Sequence, residues 1–153
     1  MQVRPGLPQA IGEVEYVAYG MPSLSVYLPY YQGMRHYQPG DDKGTDQASN
    51  DSTYWTFRTL QTLVMQDYNT FAPDVQRAWK AFEQQTVEQQ HKMEQAYLRL
   101  YASHPQKAQR LLQQFEDKTM QNAQTLAHRL TNNIITKMTY NTDMKYHFSG
   151  TQP

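Results

Sequence analysis

The chain has 153 residues, a length typical of one globular domain, and its 14 basic and 14 acidic side chains give a formal net charge of zero. This balance gives no sign of the basic surface that nucleic acids or anionic membranes select. The chain has no cysteine, which excludes a disulfide, a cysteine-ligated zinc site and a cysteine nucleophile within it. No run approaches the roughly 18 apolar residues of a membrane span, and the first residues lack the apolar core of a secretory signal, so we expect a cytoplasmic protein.

Two strand-like segments lie near the start of the chain. In Val14–Tyr19, alternate positions and frequent β-branched and aromatic residues predict a strand. Leu24–Leu28 predicts a second strand, which Pro29 is expected to end or to place at a sheet edge. Residues 1–9 contain two prolines and a glycine and are expected to be extended or loose. Because two strands alone are marginally stable in water, they require a larger sheet or a helical layer.

An irregular connection is predicted over Tyr30–Ser49, which is rich in Tyr, Gly, Asp and Gln. Connections in compact domains have a median length of about 4–6 residues. A segment of this length is therefore expected to be functional or packed against another part of a larger molecule. Its acidic run, Asp41–Asp46, suggests calcium binding, but the order of residues does not match an EF-hand and the closing glutamate is missing, which favours a solvated turn.

The first helix is predicted over Ser52–Phe71. Asn50, Asp51 and Ser52 are good N-cap residues, and aromatic and aliphatic residues then recur at helical spacing. Pro73 is expected to separate this helix from the next, because proline has no amide proton and disfavours helix in the residue before it.

Two longer helices complete the pattern. One is predicted from Asp74 to Ser103, with a polar middle at residues 84–91 that is expected to project or bridge rather than lie in a core. The other is predicted from Pro105 to about Thr139, followed by a loose or docked tail from residue 141. Their short connection predicts an antiparallel hairpin.

These elements predict an α+β fold that is mostly α: short N-terminal strands and then three helices, the last two forming a long hairpin. Residues 1–50 would be a strand and loop segment, and residues 51–153 a helical region of the same unit rather than a second domain.

The polar residues give little sign of chemistry. The five histidines form no HxH, HExxH or i,i+4 pair, which disfavours zinc. His91 precedes Glu94, the reverse of the Glu-x-x-His order in di-iron bundles, so we favour a solvated helix face over a metal or haem bundle. The carboxylate pairs Asp41–Asp42 and Glu116–Asp117 are assigned to a loop and a helix surface, where nothing predicts a raised pKa. We therefore expect no cofactor and no metal.

Tyrosines cluster in the first 40 residues. Such rings can line a peptide or ligand pocket. The favoured alternative is that they pack strands against helices with their hydroxyls at the surface. The six tyrosines are Tyr16, Tyr19, Tyr27, Tyr30, Tyr31 and Tyr37.

Three blocks of sequence resemble the PepD-like dipeptidases. They are Glu-Tyr-Val-Ala-Tyr-Gly at 15–20, Ser-Val-Tyr-Leu-Pro-Tyr-Tyr at 25–31 and Ser-Thr-Tyr-Trp-Thr-Phe-Arg at 52–58. In that family a Val-(Phe/Tyr)-(Leu/Val)-Pro-(Phe/Tyr)-Tyr segment is followed by a loop, by Ser-x-Tyr-Trp-x-Phe-Arg and by a long helical tail. The resemblance covers about residues 13–139.

The resemblance implies the C-terminal part of an N-terminal-nucleophile hydrolase with a four-layer αββα core. In that family the thiolate of an N-terminal cysteine attacks a peptide carbonyl, and the chain's own α-amino group is the base. Because this chain has no cysteine, no catalytic residue is assigned within it. The resemblance implies instead sheet strands, a pocket wall in which Tyr30 and Tyr31 are the substrate-binding candidates, and helical packing or homo-oligomer contacts. It implies a small peptide as partner where the catalytic part is present, with no nucleic-acid or membrane partner.

A second hypothesis remains open: a non-catalytic interaction module whose helical hairpin presents a groove. The N-terminal strands favour the dipeptidase, because isolated strands of this quality require a partner sheet.

Overall fold

The computed structural model describes residues 1–44 and 46–148, except for the side chains of 144–148. The N-terminal part contains three strands: β1 (Gln2–Val3), β2 (Glu13–Val17) and β3 (Leu28–Tyr31). A short helix, α1 (Gln9–Gly12), lies between β1 and β2, and a 3-10 turn at Pro22–Leu24 precedes β3. Three helices follow: α2 (Thr53–Val64), α3 (Tyr68–Tyr101) and α4 (Pro105–Phe148). The predicted α+β, mostly α, class is confirmed.

The strands form one antiparallel sheet in the order β1-β2-β3, with Val14 opposite Tyr31 and Val17 opposite Leu28. The prediction of a strand over Leu24–Leu28 was wrong, since β3 begins at Leu28. Leu24 is buried in the main core, and its carbonyl accepts a hydrogen bond from Trp79 Nε1 at 3.1 Å. That carbonyl is bound by an indole instead of a neighbouring strand. Residues 1–9, expected to be extended or loose, contribute the short extended strand β1.

The outer edge of β3 is closed to a further strand. Gln32 N donates to Glu13 O at 3.1 Å, so by the alternation of an antiparallel ladder the backbone nitrogens of Tyr31 and Pro29 point away from β2. Pro29 has no amide proton, and Tyr31 N donates to the Glu116 side chain at 2.6 Å. No free donor is left for strand pairing at these two positions.

Helix α2 begins where the sequence predicts, with Ser52 as N-cap accepting from Trp55 N at 3.4 Å. It ends at Val64 rather than Phe71, and α3 begins at Tyr68 with Asp67 as N-cap. The expectation that Pro73 separates two helices was therefore wrong. Pro73 lies in the second turn of α3 and has no amide proton. The carbonyl of Asn69, four residues earlier, therefore lacks its helical hydrogen bond, and Asn69 is exposed.

Helices α3 and α4 pack along each other, which confirms the predicted hairpin. Helix α4 continues to Phe148, so the end predicted near Thr139 and the loose tail were wrong as far as residue 148; residues 149–153 lie outside the described part. The hydroxyls of Thr139 and Thr142 bond back to carbonyls of the preceding turn at 2.9 Å. Threonine donors are thus satisfied within the continuing helix.

Two apolar clusters form the core. The larger joins α2, α3 and α4 with the segment around Leu24–Leu28, and the smaller joins α1, β2 and β3 with the end of α3 and the start of α4. The polar middle of α3 was predicted to project or bridge, but Thr86 and Gln90 are buried there. None of the described helices combines the length and apolar character needed to cross a membrane.

Trp79→Phe tests the bond between Trp79 and the Leu24 carbonyl. Trp79 is buried and its ring stacks on Phe57 with centroids 5.8 Å apart. Phenylalanine retains most of the apolar packing but leaves the carbonyl without its donor, so we expect the free energy of unfolding to fall by about 1–3 kcal/mol. Urea denaturation measures this change. Tyr140→Phe, at an exposed position of α4, is the control and should leave stability nearly unchanged. Equal stability of the two variants would contradict the assignment.

Candidate functional site

A cleft of about 420 Å³ lies on the sheet face opposite Val14 and Tyr31. Alternate residues of a strand point to opposite faces, so Glu15 and Val17 of β2 share this face with Tyr30 of β3. We call this feature the tyrosine cleft. Its lining residues are Glu15, Val17, Tyr19, Tyr30, Tyr37, Asp41 and Asp42.

A chain of hydrogen bonds crosses the tyrosine cleft. Tyr30 Oη donates to Asp41 Oδ2 at 3.4 Å, and the hydroxyls of Tyr19 and Tyr30 are 2.8 Å apart. Either hydroxyl can donate in the Tyr19–Tyr30 bond; when Tyr30 donates to Asp41, Tyr19 donates to Tyr30. Burial raises the pKa of Tyr19 to about 12 and, with Tyr19 and Asp41 nearby, also raises the pKa of Tyr30. Both hydroxyls are therefore neutral near pH 7 and can donate hydrogen bonds. The expectation that the tyrosine hydroxyls lie at the surface was wrong for Tyr19 and Tyr30, whose hydroxyls are partly buried.

Helix α2 positions Tyr19 through Gln61. This side chain is fully buried; its Nε2 donates to the Tyr19 carbonyl at 2.7 Å, and its Oε1 accepts from Met21 N at 3.0 Å. Gly20, between them, has φ +73°, and a Cβ there would lie 2.2 Å from Gln61 Oε1. The turn after β2 therefore requires glycine, and Tyr19 further stacks on Phe57 with centroids 5.4 Å apart.

The N-terminus of α2 positions Asp41. Thr53 N donates to the Gly40 carbonyl at 3.1 Å, which ties the loop to the first turn of the helix. Gly40 has φ +106°, and a Cβ there would lie 2.6 Å from the Asp51 carbonyl oxygen. One helix thus fixes the two ends of the hydrogen-bond chain, Tyr19 and Asp41.

Tyr31 belongs to a different polar cluster on the other face of the sheet. Its hydroxyl donates to Glu94 and accepts from Gln90 Nε2 at 2.7 Å, while Arg4 Nη1 lies 2.8 Å from Glu94 Oε1. Burial, together with the bond to Glu94, raises the pKa of Tyr31. The structure therefore separates the two substrate-binding candidates: the Tyr30 ring lines the tyrosine cleft, and the Tyr31 ring is enclosed by helices. Their roles in substrate binding remain predictions.

The cluster around Tyr31 also corrects the solvated face assigned to His91 and Glu94. His91 is exposed, but Glu94 is partly buried and bound to Arg4, an arrangement that ties the N-terminal segment to α3. Among the side chains that the structure describes, no group of three or more His, Asp or Glu residues is arranged to hold a metal ion.

Glu116 was predicted on a helix surface without a raised pKa, and both expectations were wrong. It is 6% exposed, its Oε1 accepts from Tyr31 N, and its buried Oε2 has no hydrogen-bond partner among the described residues. The pKa of Glu116 is raised to about 8, mainly by burial. The hydrogen bond from Tyr31 N lowers this pKa, and the charge of Asp117 raises it. Its neighbour Asp117 is at the surface and binds Gln38. Glu116 thus holds the end of β3 at the backbone nitrogen of Tyr31.

Comparison with known proteins places these features in a family. Residues 1–81, more than half of the chain and all of the cleft lining, match the family model described as Peptidase family C69. The chain belongs to peptidase family C69. This finding confirms the resemblance to PepD-like dipeptidases drawn from the sequence motifs.

Curated relatives of this C69 chain carry dipeptidase names. A probable dipeptidase from Salmonella dublin is 91% identical over 44 residues, which are 29% of this chain and 10% of that protein. Probable dipeptidase B from Streptococcus pyogenes serotype M1 is 29% identical over 109 residues, 71% of this chain and 22% of that protein. Probable dipeptidase A from serotype M18 (strain MGAS8232) is 25% identical over 75 residues, 49% of this chain and 16% of that protein. The chain therefore spans a small part of these relatives.

Sequence reasoning missed Gln61, Gln90 and Glu116. A signal was available for two of them. Gln61 follows Phe57 by four residues and precedes Val64 by three, and Glu116 lies four residues from both Leu112 and Met120. Polar residues at the spacing of an apolar stripe face a core, where they must find partners.

Glu116→Gln is expected to flatten the pH dependence of stability. Because the folded-state pKa of about 8 lies above the ordinary value of 4.5, the folded state binds more protons than the unfolded state between these values. The contribution of Glu116 to the free energy of unfolding is complete below about pH 4.5. It is lost as pH rises to about 8, by up to about 1.4 kcal/mol per pH unit, and does not change further above that pH. Glutamine mimics the protonated acid and cannot titrate.

Urea denaturation of both proteins from pH 4.5 to 9 measures this difference. Glu88→Gln, which removes an exposed carboxylate from α3, is the matched control and should keep the wild-type pH profile. If Glu116→Gln keeps the same profile as the wild type, Glu116 does not titrate in this window.

Proposed function

We propose that this C69 chain is the C-terminal portion of a cysteine-type dipeptidase that hydrolyses the peptide bond of dipeptides. The observation that carries the proposal is the family match over residues 1–81, which includes all three strands and every residue lining the tyrosine cleft. The dipeptidase names of the curated relatives support the same reaction.

The nucleophile in this proposal lies outside the chain. None of the 153 residues is a cysteine, and the polar groups of the tyrosine cleft are neutral hydroxyls and carboxylates. With raised pKa values, Tyr19 and Tyr30 are poor sources of a phenolate nucleophile near pH 7. These groups are suited to holding a substrate by hydrogen bonds and charge, while a thiolate from the rest of the enzyme attacks the carbonyl.

The fold supports this division of labour. One face of the small sheet is covered by the α3–α4 hairpin through the cluster of Tyr31, Met93 and Leu112, whereas the other face carries the tyrosine cleft. Leu28, on the same face as Tyr30, is buried in the main core, so in an αββα enzyme only the part of this face around the cleft would meet a second sheet. Tyr30 would then stand between two layers, as a substrate-pocket residue requires.

A cytoplasmic location and a homo-oligomeric assembly of the enzyme remain proposals drawn from the sequence. Light scattering of the chain in solution tests the second: a mass of about 17.9 kDa, that of one chain, would contradict self-association through this segment.

The function is tested with the isolated chain and with a chimera. We expect the isolated chain to leave Ala-Ala intact, because it has no nucleophile. In the chimera, the 44 residues of this chain that match the Salmonella dublin probable dipeptidase replace their counterparts in that protein. We expect that chimera to hydrolyse Ala-Ala, and iodoacetamide to abolish the activity by alkylating the thiol.

Two results would contradict the proposal. Hydrolysis by the isolated chain that survives iodoacetamide would place a different nucleophile within it. A chimera that folds, as judged by circular dichroism and by a single cooperative unfolding transition, but cleaves no dipeptide would remove the assignment as a dipeptidase segment. The unmodified Salmonella protein, treated in parallel, provides the reference rate.

A further inference from the structure

The charges that line the tyrosine cleft all have one sign. Glu15, Asp41 and Asp42 each bring a carboxylate, and no Lys, Arg or His is among the described residues that line it. The hydroxyls of Tyr19 and Tyr30 are neutral. A cleft of about 420 Å³ is within the usual range for small-ligand sites, roughly 300–1,000 Å³. Its field therefore favours a positively charged guest.

The aromatic walls favour the same guest. The rings of Tyr30 and Tyr37 have centroids 6.4 Å apart and planes inclined by 44°. The face of each ring carries the negative part of its quadrupole, which attracts an ammonium group. Tyr37 is 66% exposed, so its ring is at the solvent side of the cleft and is free to adjust to a guest.

The hydrogen-bond chain ends in an unused acceptor. Oδ2 of Asp41 accepts from Tyr30, but Oδ1 is buried and has no hydrogen-bond partner among the described residues. A buried acceptor without a donor costs free energy that a bound donor recovers. This unpaired oxygen belongs to Asp41, one of the three carboxylate residues that line the cleft.

We propose that the tyrosine cleft binds an alkylammonium group of a peptide, either its α-ammonium or a lysine side chain. The carboxylates supply the charge, and the tilted rings of Tyr30 and Tyr37 supply the walls. Helix α2 pre-organises the site, because it fixes Tyr19 through Gln61 and Asp41 through Thr53 and Gly40. The inference rests on the proposed function in one respect, that the ligand is a peptide.

Binding to the 153-residue chain is measured with three probes at pH 7. Gly-Gly amide carries an α-ammonium group, N-acetyl-lysine amide carries a side-chain ammonium group, and N-acetyl-glycine amide is neutral. The readout is the backbone amide chemical shifts of Tyr37, Asp41 and Asp42 in a nitrogen-15 NMR titration. We expect one or both cations to shift these amides saturably and to bind more weakly at high salt. The cation that binds more tightly identifies the source of the ammonium group.

Asp41→Asn removes one charge at nearly constant volume and is expected to weaken binding of the preferred cation about tenfold or more. Asp46→Asn removes the same charge from the same loop but outside the cleft lining, and it should bind as the wild type does. Glu15→Gln, at an exposed position of β2, gives a second loss of charge that does not disturb the Tyr19–Tyr30–Asp41 chain. It keeps the test decisive if Asp41→Asn fails to fold.

Three results would overturn the inference: no saturable shift with either cation, equal binding of the neutral amide, or an unchanged affinity in both Asp41→Asn and Glu15→Gln. Hydrolysis is not measured here. A chain that binds ammonium probes while its chimera cleaves no dipeptide would therefore refute the proposed function alone, and the reverse result would refute the cleft assignment alone.

Discussion

The structure depends on satisfying the backbone of an irregular segment without a strand ladder. After β3 the described residues of 32–44 and 46–52 form no helix or strand, and buried peptide groups need hydrogen-bond partners. Side chains of α4 supply them. Gln113 Oε1 accepts from Arg35 N at 2.8 Å, and its Nε2 donates to the His36 carbonyl at 3.2 Å. Gln109 donates to the Gly33 carbonyl, and Glu116 accepts from Tyr31 N. The glutamine-rich composition of the helices thus has a structural reason.

The same device builds the tyrosine cleft. Gln61 reaches from α2 to the turn after Tyr19, while the first turn of α2 holds the loop at Gly40, so two distant segments of chain meet beside Tyr30. Satisfied buried networks of this kind define one arrangement of side chains. Asp41 Oδ1 and Glu116 Oε2, like Arg4 Nε and Ser25 Oγ, are buried atoms without a hydrogen-bond partner among the described residues. Such departures are expected where a protein binds a ligand or a proton.

The two faces of the sheet have separate tasks. The face with Val14 and Tyr31 packs against α3 and α4. The outer edge of β3, where Glu116 accepts from Tyr31 N, does not pair with another strand. The face with Glu15 and Tyr30 keeps polar groups in a cleft. The proposed function assigns substrate contact to the face with the cleft and a scaffold role to the face packed against α3 and α4.

The sequence by itself determined the α+β class, the hairpin, the Ser52 cap and the family, because helical periodicity, capping chemistry and the motifs around 15–20, 25–31 and 52–58 are local signals. It did not determine which tyrosines share a site: Tyr30 and Tyr31 are neighbours in sequence but lie on opposite faces, as the pleat of β3 requires. Nor did it locate Gln61, Gln90 or Glu116 in the interior. Their burial was decided by tertiary structure, because a polar residue on a helix is stable inside only when a distant part of the chain brings its hydrogen-bond partner to it.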